Sequence, residues 1–125
     1  MLERLGHDHP DADLAQVVSF VWDWLSDSQL SGVLRLWVEG HGRSLVDPNG
    51  SWGGFAKRTV FDWLEVLSRY QPPQRRRLAG ARAERTAALA LLRGALLDFI
   101  ATEDHRHVTA GLQRGSSGVS LRAGL

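Results

Sequence analysis

Between Ala87 and Ala101 only Arg93, Gly94 and Asp98 interrupt an apolar run. A segment that greasy on nearly every side is not covered by one neighbour, so it must pack against its own domain and against something more. A second copy of the chain is the most economical candidate. A membrane span needs about 20 mostly apolar residues. Here the longest unbroken apolar run is Ala87–Leu92, and Arg93 and Asp98 sit near the centre. The stretch Arg82–Asp104 therefore reads as a buried helix at a subunit interface, with no membrane partner. The small residues Ala87, Ala90 and Gly94 would let a second helix axis come close. Close packing is one way to offset the roughly 1 kcal/mol that an interior glycine costs a helix.

The 125 residues suffice for one domain with a modest core. A net charge of +1 supplies no global field to recruit nucleic acid or an anionic membrane. The absence of cysteine excludes disulfides and thiolate metal sites, and it is compatible with a cytoplasmic protein. Residues 1–10 read as a polar leader. It contains His7-Asp8-His9, with Asp11 just beyond, but nothing there fixes a metal geometry, and no metal or cofactor is expected.

From residue 11 onward the pattern is helical. Asp11 is a good N-cap, with Asp13 in the first turn. Leu14, Val17, Val18, Val21 and Leu25 then recur at helical spacing, flanked by Trp22 and Trp24. A second helix, capped by Ser28, carries Leu30, Val33, Leu34, Trp37, Val38, His41 and Leu45, with a possible bend at Gly40-His41-Gly42. Asp47-Pro48-Asn49-Gly50 stops it. A third helix after Gly50, with Ser51 as its cap, has the stripe Trp52, Phe55, Ala56, Thr59, Val60, Trp63, Leu64, Leu67 and Tyr70. Arg58/Asp62 and Glu65/Arg69 sit four apart on its other face. Gln71-Pro72-Pro73-Gln74 breaks the chain. Arg75-Arg76-Arg77 follows, and three charges in a loop are usually just solvated. After the central helix, Asp104 is expected to cap a short last helix, His105–Arg114. Gly115–Leu125, rich in Gly and Ser, reads as a flexible tail. No segment alternates with period two long enough to make a strand. The expectation is an all-α domain over residues 11–114, of about five helices.

Catalytic patterns are missing. There is no phosphate loop, no His-Glu-x-x-His and no Gly-x-Ser-x-Gly elbow. Glu39 and His41, two apart on a helix, point about 200° from one another and cannot easily cooperate. His105-x-His107 has the wrong spacing to share a helix face. An enzyme is not expected. The five tryptophans are more informative. Trp22, Trp37, Phe55 and Trp63, brought together by three helices, would make a shaped apolar cavity, and such walls with a few polar groups are what small-molecule sites look like. Arg35, Glu39, His41 and Thr59 are the candidate polar groups.

Several segments resemble a known family. Leu92-Arg93-Gly94-Ala95-Leu96-Leu97-Asp98-Phe99-Ile100-Ala101-Thr102-Glu103-Asp104 is similar to a helix near the C-terminus of TetR-type transcriptional regulators. Trp22-Asp23-Trp24-Leu25-Ser26-Asp27, Val33–Glu39, and Asp47-Pro48 leading into Phe61-Asp62-Trp63-Leu64 look like the ligand-domain helices of that family. The resemblance spans roughly Asp11–Leu112. It implies an all-α effector-binding domain whose last two long helices form a four-helix bundle with a partner. The family's helix-turn-helix has no counterpart here, so DNA would be a partner only through a region not present in this chain. On this reading a small, largely apolar effector sits among Trp22, Trp37, His41, Phe55, Thr59 and Trp63. The homodimer interface uses Ala88, Leu91, Leu92, Ala95, Leu96, Phe99, Val108 and Leu112. The rival reading is a helical homodimeric assembly module with no ligand, its tryptophans all in the core.

Overall fold

A computed structural model of the chain describes residues 13–123, with side-chain surroundings as far as Ser117. The expected polar leader, with His7, Asp8, His9 and the Asp11 cap, lies outside the described residues. Among these residues the fold is all-α: α1 (Leu14–Leu25), a 3-10 turn (Ser28–Leu30), α2 (Ser31–Val46), α3 (Phe55–Ser68), α4 (Ala79–Thr102) and α5 (His105–Ala123). None of these helices is long and apolar enough to cross a membrane.

The central helix α4 packs against α1, α3 and α5, while α1 touches both α4 and α5. The first helix is thus wedged between the two C-terminal ones. α2 stands at the outside, against α3. The stripe Leu14, Val17, Val18, Val21 and Leu25 is buried throughout, as its spacing predicts. It meets Ala88, Leu89, Leu92, Ala95 and Leu96 of α4, Leu67 of α3 and Leu112 of α5 in one core.

Side-chain caps set the starts of α1 and α5. Asp13, not Asp11, starts α1: its side chain accepts from the Gln16 N–H, and the Gln16 side chain accepts from the Asp13 N–H, each at 2.9 Å. This reciprocal pair is a capping box. α3 begins at Phe55 rather than just after Gly50, because residues 48–54 turn and Gly54 adopts φ 80°. No side chain of that turn caps it. Ser44 of α2 reaches across instead, and its Oγ accepts from the Ala56 N–H at 3.1 Å. At the other end of the chain, Asp104 caps α5 as expected. The His107 N–H donates to Asp104 Oδ1 at 3.1 Å, and His107 Nδ1 lies 2.7 Å from Oδ2. The backbone bond first, then the ring contact, hold this carboxyl below the usual carboxylate range.

Packing overrules the sequence pattern at two glycines. α2 buries its expected apolar stripe only in part: Leu34 and Trp37 pack partly against the core, Val33 and Leu45 are about two-thirds exposed, and the fully buried positions are Gly40 and Ser44. Gly40 is the seat of Trp52. A Cβ on Gly40 would come within 2.6 Å of the Trp52 ring, so only glycine lets the indole lie against the helix. α5 does not stop at Arg114; it continues to Ala123, through the segment expected to be a loose tail. Gly115 and buried Ser116 are part of its packed face, and a Cβ on Gly115 would approach Leu91 Cδ2 to 2.6 Å.

The Arg75-Arg76-Arg77 loop is tied down rather than simply solvated. Gln71 is buried, and its amide donates to the Ala81 carbonyl at 2.9 Å and to Glu84 at 3.1 Å. Its own carbonyl oxygen on the side chain accepts from Arg85 at 2.7 Å. Arg75 pairs with Glu84, and Arg76 donates to the Gln71 backbone carbonyl at 3.0 Å. On the surface, the expected Arg58/Asp62 and Glu65/Arg69 ion pairs do not close among the described residues; Glu39 and Arg43 form the i,i+4 pair instead.

Candidate functional site

Four helices each turn one face toward a common cleft of about 200 Å³. α1 contributes Val21, Trp24 and Leu25; α2, Val33, Leu34 and Trp37; α3, Thr59, Val60 and Trp63; α4, Leu89, Leu92, Arg93 and Leu96. In every helix these positions follow an i, i+3, i+4 or i, i+1, i+4 pattern, which places side chains on one face. Three indoles therefore share the cleft: Trp24, Trp37 and Trp63. Polar groups are few. The Thr59 hydroxyl donates back to the Phe55 carbonyl at 2.8 Å, leaving only acceptor capacity for a guest. Arg93 is half-buried, and among the described residues it has neither an ion pair nor a hydrogen bond. No carboxylate lines the cleft.

Of the six candidate ligand contacts, Trp37, Thr59 and Trp63 lie in this wall. His41 stands one turn beyond Trp37, with ring centroids 4.9 Å apart. Its Nδ1 is shut off from solvent and has no hydrogen-bond partner among the described residues. Burial, and after it the charge of Arg93, push its pKa down, so the ring is neutral at pH 7. Trp22 is elsewhere. It is in the core, its Nε1 donates to Thr109 Oγ1 of α5 at 2.8 Å, and it packs between Phe99 and His105. Phe55 pairs edge-on with Trp52 at 5.1 Å, toward the other end of α3. Glu39, with its Arg43 partner, is on the surface, as is Arg35. Sequence reasoning missed Trp24 and Arg93. Trp24 lies three residues after Val21 and Arg93 four after Leu89, so their helical phase was the available signal.

The second concavity is an open groove along α4 and α5. Ala87, Ala90, Gly94 and Asp98 form one bank and Val108, Gly111 and Gly115 the other. Of the expected dimer residues, Leu91, Ala95, Val108 and Leu112 line it. Of these, Ala95 and Leu112 are also buried in the chain's own core, as are Ala88, Leu92 and Leu96, which do not line the groove, and Phe99 is half-buried against Trp22 and His105. Among the described residues, no three His, Asp or Glu side chains converge as a metal site needs.

Set against known proteins, the chain matches no family model, no curated sequence and no solved structure.

Proposed function

We propose that this chain is a ligand-sensing and dimerisation domain, like that of a TetR-type transcriptional regulator. A small, largely apolar effector occupies the four-helix cleft, and DNA reading belongs to a helix-turn-helix that these residues do not include. The family likeness rests on the sequence segments alone. The observation that carries the sensing role is the cleft itself: three tryptophans border one apolar hollow, and Trp24 is 39% exposed there. A concave, mostly apolar wall with few polar groups is the form that small-molecule sites take.

Benzyl alcohol and cyclohexanol serve as neutral probes. Titration of either should produce a saturable change in tryptophan emission and a rise in Tm that grows with ligand concentration, as binding to the native state alone requires. Unchanged emission and Tm with both would favour the assembly module without a ligand.

Pairing is assigned to the α4–α5 groove, whose small residues leave room for helices of a second copy. Stable homodimers commonly bury over about 2,000 Å² in total, which both helices together must supply. Ala90 is exposed in the groove. Ala90→Glu should convert a dimer to a single chain of 13.9 kDa by sedimentation, with helicity retained, since exposed substitutions usually change stability by under about 0.5 kcal/mol. A wild-type chain that already sediments alone, or a dimer that survives the glutamate, would remove the groove as the interface. A substitution at Leu92 would not report on the interface, because Leu92 belongs to the core of the single chain.

A further inference from the structure

The cleft is apolar except for one unmatched cation. Arg93 reaches it from the same α4 face as Leu89 and Leu96, and neither a carboxylate in the wall nor any other group among the described residues answers its charge. Arg93 is half-buried as a residue, and its guanidinium offers five N–H donors in a fixed fork that matches a carboxylate. Thr59 cannot substitute as a donor, since its proton is given to Phe55. The indoles of Trp24, Trp37 and Trp63 offer flat faces for a ring. Drug-sized ligands use sites of about 300–1,000 Å³, so a cleft of about 200 Å³ suits something more compact.

From this geometry we infer that the effector is a compact aromatic carboxylate, its ring among the three indoles and its carboxylate on Arg93. This rests on the sensing role proposed above and narrows it from an apolar molecule to an anionic amphiphile. The acid's charge selects it: a neutral isostere fills the same space yet leaves Arg93 unmatched.

Naphthylacetate and naphthylacetamide, nearly identical in shape, separate the two ideas by calorimetric titration. The acid should bind about ten- to a hundredfold more tightly than the amide, the range for a hydrogen bond to a charged partner, and the margin should shrink in high salt. Arg93→Met keeps an apolar stem and should erase the difference while leaving amide binding in place. Equal affinities in the wild-type protein, or a preference for the amide, would overturn the carboxylate assignment and leave the sensing cleft standing. Binding of neither compound, nor of the neutral alcohols, would overturn both. Should Arg93→Met fail to fold, the acid-to-amide ratio and its salt dependence in the wild-type chain decide the matter alone.

Discussion

Trp22→Ala should cost about 3–5 kcal/mol, the range for removing a large aromatic from a core, and leave the domain largely unfolded at 37 °C. Trp22 is only 1% exposed and is the largest side chain so fully enclosed. Its ring meets Phe99 edge-on at 5.8 Å and stacks on His105 at 6.0 Å, and its indole N–H donates to Thr109 across 87 residues of sequence. Removing it opens a void where α1, α4 and α5 meet. Trp22→Phe separates the contributions. It keeps most of the apolar body but loses the donor, for an expected cost of about 1–2 kcal/mol. Urea unfolding followed by circular dichroism measures both. If Trp22→Ala lowers stability by less than about 1 kcal/mol, α1 is not the wedge that holds the C-terminal helices.

The second large effect is expected at Gln71. Gln71→Ala should destabilise by about 1–3 kcal/mol, because one buried side chain bonds the Ala81 carbonyl, Glu84 and Arg85 at once, although Arg85 keeps the Arg76 carbonyl at 2.9 Å and Glu84 keeps Arg75. The Ala81 carbonyl loses its 2.9 Å donor and Arg85 loses its 2.7 Å acceptor. Arg85 already has an Nε with no hydrogen bond, so it is poorly placed to tolerate a further loss. Gln71→Glu gives a sharper contrast: it keeps an acceptor for Arg85 but replaces the amide donor and sets a carboxylate beside Glu84. Thermal unfolding should rank wild type above both variants. Equal Tm values for all three would mean that solvent, not Gln71, satisfies the loop.

Much of the architecture was legible from periodicity, and particular residues show why. Leu14, Val17, Val18, Val21 and Leu25 share a helical face in any helix of this sequence, so their burial needs no knowledge of the partner. The Pro72-Pro73 break and the Asp104 cap are equally local. Long-range choices were not legible. Trp22 and Trp24 flank the same stripe, yet one is enclosed and the other is 39% exposed at the cleft. The difference is set by Thr109 and Phe99, more than 70 residues away. Gly40 looked like a weak point in a helix, whereas it is the seat for Trp52. The Gly/Ser composition after Arg114 suggested a tail, but contact with Leu91 outweighs weak intrinsic helix propensity. The cleft was half visible: Trp37, Thr59 and Trp63 were expected to meet, whereas Trp22 and Phe55 are committed elsewhere. In sequence Arg93 interrupts a greasy run, yet its register with Leu89 sets it beside the tryptophans.

The two indoles of α1 lie two positions apart and therefore face in nearly opposite directions. One borders the cleft; the other is hydrogen-bonded to the C-terminal helix. One rigid helix thus carries both contacts, so any displacement of α1 beside Trp24 would also strain the Trp22–Thr109 hydrogen bond that ties it to α5.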